Sequence, residues 1–319
     1  MKLFRLLALC SIIALFAFVV PASMAQDQTF GLSDSDFALF TDANATSSAF
    51  DTLSYSFTLD LTASGLAESD VNVTLIGSGV LGEQDGDTLF SLDVSGDIGD
   101  GTQTMTVDFE ARIVDGMIYV NLGDDSGWQG GSLEEIVGQV GSMMGGMTGI
   151  DPSTMLEGDS SAMTDMMAQP GVMEAVMGIS AMDPADFIAI SSANADGLTQ
   201  FTIDLNIADL LSAPEMGAIL GMAMAGQTGD DSATMSDAQM QQMGAMMGML
   251  FSDLVLKFDQ YVNSSSLVER SVMTLDFPVP AMLTGGTEAN LNMVFDIGLS
   301  NYNEPITVEA PAEFAPMSM

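Results

Sequence analysis

Between Leu53 and Trp128 apolar and polar residues alternate with a period of two. Leu53, Tyr55, Phe57, Leu59 and Leu61 form one series. Val71, Val73 and Leu75 form a second, and Phe90, Leu92 and Val94 a third. Met105, Val107, Phe109, Ala111 and Ile113 follow, then Ile118, Val120 and Leu122. Gly/Asp turns separate the runs, at Glu83–Asp87, Gly99–Gly101 and Asp115-Gly116. Such a pattern predicts consecutive antiparallel strands with one apolar and one wet face. A helix is expected before them, within Ser33–Phe50.

The period then changes. Leu133, Ile136, Val137, Val140, Met144 and Met147 keep helical spacing, as do Met163, Met166 and Met167, and Met173, Val176 and Met177. Helical spacing returns at Met216, Ile219, Leu220 and Ala223, and at Met240, Met243, Met247 and Leu250 behind an N-cap at Ser236. One strand interrupts this zone, at about Thr199–Ile207. Strands resume at Leu254–Phe258, Val268–Phe277 and Leu291–Leu299, with a turn at Asn263-Ser264-Ser265. Pro278 and Pro280 mark an edge or bend, and Thr307–Glu309 reads as a last short strand. The order predicts an α+β fold with a largely antiparallel sheet.

The first 25 residues stand apart. Lys2 and Arg5 precede the apolar run Leu6–Val20, and Pro21-Ala22-Ser23-Met24-Ala25 ends in a small-x-small pattern. This predicts a signal peptide cleaved near Ala25, and a protein exported to the periplasm or beyond, soluble after cleavage; the alternative is a leader retained as an anchor. Residues 26–319 read as one domain with a Met/Gly-rich helical region at about 132–251. No later apolar run approaches the ~20 residues of a membrane span.

Charge narrows the function further. Beyond the leader, three cations (Arg112, Lys257, Arg270) face 44 acids, a net of −41. Phosphate neutralisation has no material here, so nucleic acid is excluded as a partner. Histidine is absent and the single cysteine, Cys10, lies in the leader. Nucleophile–His dyads and His/Cys metal centres are therefore excluded. The Asp-rich turns lack the twelve-residue calcium-loop spacing and read as solvated turns at Asp97, Asp100, Asp124 and Asp125. One Trp and four Tyr offer little platform for a sugar cleft, and Trp128 is expected to pack at the sheet edge. The expectation is a non-enzyme without cofactor, and a monomer.

Nineteen of the 28 methionines fall between Met143 and Met249, and no Lys or Arg occurs from Ile113 to Leu256. Methionine fills irregular gaps and adapts to varied apolar partners. Four readings follow: plain core packing, a lining for an apolar ligand, a Cu(I) thioether site at Met163-x-x-Met166-Met167 or Met240-x-x-Met243-x-x-Met246-Met247, or insertion of Gly-x-x-x-Gly helices into a membrane.

The order of these pieces resembles the LolA/LolB-like superfamily, in particular LppX/LprG-type exported lipoproteins. The resemblance runs from about Ala45 to Pro311. It rests on the N-terminal helix before long amphipathic strands, on Gly116-Met117-Ile118-Tyr119-Val120 continuing to Gly127-Trp128, on Asp151-Pro152 and Asp183-Pro184, on the strand pair Leu254–Phe277, and on Ser300-Asn301-Tyr302-Asn303-Glu304-Pro305-Ile306-Thr307-Val308-Glu309-Ala310-Pro311. It implies a curved antiparallel half-barrel, with the Met-rich helices covering its concave face and acyl chains held between. Such a cavity would be lined by Phe57, Leu59, Val73, Leu75, Phe90, Leu92, Val107, Phe109, Ile203 and Leu205 from the strands, and by Met144, Met147, Met173, Met177, Met243 and Met247 from the helices. The implied function is carriage of lipid or another apolar small molecule, with transient contact to a membrane or a lipid-export protein. Departing from that family, the chain has no lipobox cysteine. The rival functions are a Met-rich Cu(I) binder and a structural cell-surface domain without ligand.

Overall fold

The structure, a computed structural model, describes residues 29–66, 70–84, 86–124, 126–134, 183–213 and 237–317; at 48, 237–241 and 243 it describes the backbone alone. The expected leader (1–25), the helical spacing over 136–177 and 216–223, and Asp125 lie outside the described residues.

A helix, α1 (Asp34–Ser48), comes first. Ser33 caps it, its Oγ accepting from the Asp36 N–H at 3.2 Å, and Asp34 and Asp36 place negative charge where the helix dipole favours it. Six strands follow: β1 (Thr52–Ser64), β2 (Val71–Gln84), β3 (Asp87–Gly99), β4 (Thr104–Val114), β5 (Met117–Asn121) and β6 (Trp128–Ser132). Later come β7 (Ile188–Ala195), β8 (Leu198–Leu205), a short α2 (Ile207–Ser212), α3 (Asp237–Leu250), β9 (Val255–Val262), β10 (Val268–Val279), β11 (Ala289–Ser300) and the two-residue β12 (Ala315–Pro316).

All twelve strands join one open, curved sheet in the order β12-β6-β5-β4-β3-β2-β1-β11-β10-β9-β8-β7. Two meanders, β1 to β6 and β7 to β11, lie side by side and meet along β1 and β11, which pair from Ser54↔Ser300 to Ser64↔Asn290. Every pairing is antiparallel except β12 on β6. Pro278 sits on β10 opposite Asn290 of β11, beyond the last β9 partner at Asp276↔Val255, where its missing N–H breaks no ladder on that side.

Three details differ from the sequence reading. The strand expected at Thr199–Ile207 is half of a hairpin. Its partner β7 shows only two apolar residues at inward positions, Ile188 and Ile190, before Ser192 and Asn194 break the alternation. Asp196 (φ 54°) and Gly197 (φ 88°) make the tight turn between them. Ile207 opens α2 instead of closing β8. Thr307–Glu309 is not a strand: Ile306 and Val308 are buried, but the Ile306 N–H donates to the Gln84 Oε1 side-chain oxygen at 3.3 Å.

That last segment makes a core of its own. Ile306 and Val308 cover Leu89, Val114 and Tyr119 on the face opposite α1, so that face is not uniformly wet. Thr52 Oγ1 donates to Glu304 O at 2.6 Å and Arg112 Nη1 to Glu309 O at 3.0 Å, and Phe314 meets Tyr119 edge-on at 5.0 Å. The main core lies on the α1 side. There Phe40 and Ala43 pack with Phe201, Val262 and Val268, and Phe40 meets the fully buried Phe201 ring at 5.3 Å, edge to face.

Candidate functional site

The alternation places nearly all charge of the paired sheet positions on one side. On the face that α1 packs against, the inner face, the strand positions are uncharged except Glu83 at the end of β2. Asp60, Asp93, Asp108, Asp259 and Asp296 project from the other side. So do the three described cations, each held by a carboxylate. Arg270 grips Asp296 through Nε and Nη2 at 2.9 and 2.6 Å and lies over the Tyr261 ring at 5.1 Å. Lys257 Nζ is 3.5 Å from Asp259, and Arg112 is 3.1 Å from Glu110 with its guanidinium 4.6 Å over Trp128. Trp128 thus sits on the outer face of β6, beside the edge strand.

Inner-face registers bring together the ten strand residues proposed to line a cavity: Leu59 faces Leu75, Leu61 faces Val73, Leu92 faces Ala111, Val94 faces Phe109, and Ile203 faces Phe258. The structure sorts them into two groups. Leu59, Val73, Leu75 and Ile203 are 5–6% exposed and belong to core clusters. Phe90, Leu92, Val107 and Phe109, on β3 and β4, are only half-buried, and Met105 beside them is 51% exposed. Phe57 and Leu205 are half-buried as well. Among the proposed methionines, Met247 of α3 is half-buried; Met144, Met147, Met173 and Met177 lie outside the described residues, as does the Met243 side chain.

Two glycines shape the inner surface, and sequence reasoning did not single them out. On β2, Gly77 and Gly79 stand where a Cβ would be 2.4 Å from the Phe57 ring and 2.7 Å from the Tyr55 hydroxyl. Without those side chains, both rings lie across β2, and Tyr55 Oη donates to the Ser91 carbonyl of β3 at 2.7 Å. The Gly-x-Gly spacing inside an otherwise apolar inner row was the available signal. Burial, with Asp93 nearby, pushes the Tyr55 phenol well above its ordinary value, and burial raises Tyr302 too. Folding therefore favours the neutral phenols. Their contribution is complete below pH ~10 and is lost as pH rises from there through the folded-state values. Urea melts at rising pH are expected to show stability falling above pH ~10, with a shallower fall in Tyr55→Phe; an equal slope in both would remove Tyr55 from this account.

The described part of the helical zone is held by a close crossing. A Cβ at Gly244 or Gly248 of α3 would stand 3.2 Å from Leu211 O or 3.1 Å from Ala208 O of α2. Past α3, Phe251 stacks on inner-face Phe277 at 5.2 Å, which ties this helix pair to the inner side at one end of the sheet.

Of the acidic residues expected in turns, Asp97 instead lies on β3 opposite Thr106, whose hydroxyl donates to it at 3.0 Å, whereas Asp100 and Asp124 do sit in turns. Asp100 accepts from the Thr102 N–H and hydroxyl and from the Gln103 N–H at 2.7–3.0 Å, and Asp124 accepts from Ser126. These bonds hold both carboxyls below the usual range. Two open depressions lined by described residues, of about 330 and 470 Å³, lie on the outer face; Ile76, Asp93, Asp108 and Glu110 wall the larger.

No family model matches this sequence, and no curated protein matches it. Among solved structures, the crystal structure of LprF from Mycobacterium bovis is similar to it: 13% of residues are identical, 88% of this chain and 99% of that chain are covered, and the TM-score is 0.33. A superposition that loose says nothing about what this chain binds.

Proposed function

We propose that this protein is an exported, non-enzymatic carrier that holds a lipid or another apolar small molecule against the inner sheet face, beneath the Met-rich region at about 132–251. One observation carries the reading. The paired inner-face positions carry no charge but Glu83, and over β3 and β4 the large side chains Phe90, Leu92, Val107 and Phe109 are only half-buried, whereas Leu59, Val73, Leu75 and Ile203 of β1, β2 and β8 are packed. A core that existed only for stability would finish that half too.

The mechanism needs no catalytic group. Each buried methylene contributes about 0.8 kcal/mol, so one acyl chain gains on the order of 10 kcal/mol before ordering costs are subtracted. Specificity comes from shape, since no cation faces inward to bind a phosphate; a charged head group stays in solvent. Interior glycines cost α3 roughly 0.5–1 kcal/mol each relative to alanine, so it depends on its contact with α2, and helices so weakly set suit a cover that opens for loading.

An anthroyloxy-labelled stearic acid tests the site. It is expected to gain fluorescence with the wild-type protein, and Val107→Asp/Phe109→Asp is expected to bind it at least about tenfold more weakly, since a carboxylate there must be buried with the ligand. Equal affinity in the two proteins would remove the β3–β4 face from the site.

A further inference from the structure

Five exposed large hydrophobic side chains, Leu66, Met249, Val255, Met282 and Leu283, lie at one end of the sheet. β1 and β10 end there and β9 and β11 begin there, as the registers Ser64↔Asn290, Val279↔Ala289 and Asp276↔Val255 require. The turn from β10 to β11 carries Met282 and Leu283 at 72% and 54% exposed. Leu66, 46% exposed, follows Gly65, which lies so near this turn that a Cβ there would be 2.1 Å from Glu288 O. Met249 and Val255, 81% and 50% exposed, flank Phe251 at the same end.

Backbone hydrogen bonds shape the turn that carries this tip. The Leu283 N–H donates to Pro280 O at 2.8 Å and the Gly286 N–H to Ala281 O at 2.7 Å. Gly285 and Gly286, at φ 74° and 102°, reverse the chain. These bonds close the turn in which Met282 and Leu283 stand exposed. From Phe277 to Thr287 no residue is charged, in a chain with 44 acids.

We propose that this rim docks the protein on a lipid bilayer of zwitterionic head groups. Three choices decide the partner. The few side chains at the tip fall short of the ~1,200–2,000 Å² that a stable protein interface buries. A second copy would bring together two chains of net charge −39. An anionic bilayer is opposed by that same charge, with Asp253 and Glu288 exposed beside the rim. A neutral head-group layer accepts a shallow aliphatic tip and releases it again, as befits a reversible contact. The inference rests on the carrier reading for its purpose, since a carrier must meet a membrane to load or unload, and not for its geometry.

Co-sedimentation of the full chain with phosphatidylcholine vesicles tests it. Wild type is expected to pellet with the vesicles, and Met282→Ser/Leu283→Ser to partition about tenfold less or lower with an unchanged melting temperature. Phosphatidylglycerol vesicles should capture less wild type at low salt, and the gap should narrow as salt rises. The proposal is overturned if wild type stays in the supernatant, if the double variant pellets like wild type, or if the substitutions instead abolish a concentration-dependent dimer in sedimentation velocity. Lipid in the protein without vesicle binding would remove the docking rim alone; vesicle binding by a protein that carries no apolar ligand would remove the carrier alone.

Discussion

Phe201→Ala is expected to lower the free energy of unfolding by about 3–5 kcal/mol. The ring is fully buried on β8, meets Phe40 of α1 edge to face at 5.3 Å, and lies in the cluster that joins the N-terminal helix to both meanders. Its removal leaves a cavity walled by α1 on one side and strand backbone on the other, neither able to close in fully. Urea titration followed by far-UV circular dichroism measures the change. A loss under about 1 kcal/mol would mean that α1 does not pack on this face.

Gly79→Ala should cost about 3 kcal/mol, an overpacking effect. The added methyl would stand 1.9 Å from Ser91 O, a backbone atom of the adjacent strand that cannot rotate away, and 2.7 Å from the Tyr55 hydroxyl. Gly99→Ala is the control: its nearest neighbour is 3.7 Å away and its φ is not in the left-handed region, so it should change stability by less than about 0.5 kcal/mol. The same denaturant melts compare the two. Similar values for both would show that strands β2 and β3 do not approach as closely as the structure has them.

The strands with unbroken alternation were legible because their inner positions are filled mainly by apolar residues while the outer face tolerates almost anything. That is why β1 to β5 and β9 to β11 could be placed from Leu53, Val73, Leu92, Phe109 and their neighbours. Strand β7 was not legible because its inner positions Ser192 and Asn194 do not meet the apolar core. Ser192 instead donates its hydroxyl to Asp36 of α1 at 2.9 Å, a tertiary contact that removes the local signal while the Asp196-Gly197 turn preserves a weaker one. The final segment misled for the opposite reason. Ile306 and Val308 alternate as a strand does, but they are buried by a crossing over Leu89 and Tyr119 rather than by a ladder.

The ten proposed strand residues of the site share one face, as their parity required. What parity could not supply was the division between packed and half-covered members, which depends on where α1 lies and on the rings of Tyr55 and Phe57 lying across Gly77 and Gly79. Parity also set Arg112, between Ala111 and Ile113, and Lys257, between Leu256 and Phe258, on the outer face, but not the side of Arg270, next to the β10 bulge, nor the carboxylate each cation meets.

The central claim is that the inner face holds an apolar molecule. Organic extraction of protein purified without detergent, followed by mass spectrometry, reads this directly. The account predicts an apolar species in near-stoichiometric amount, depleted from Val107→Asp/Phe109→Asp purified in parallel. An extract no richer in apolar species than that of the double variant would contradict it.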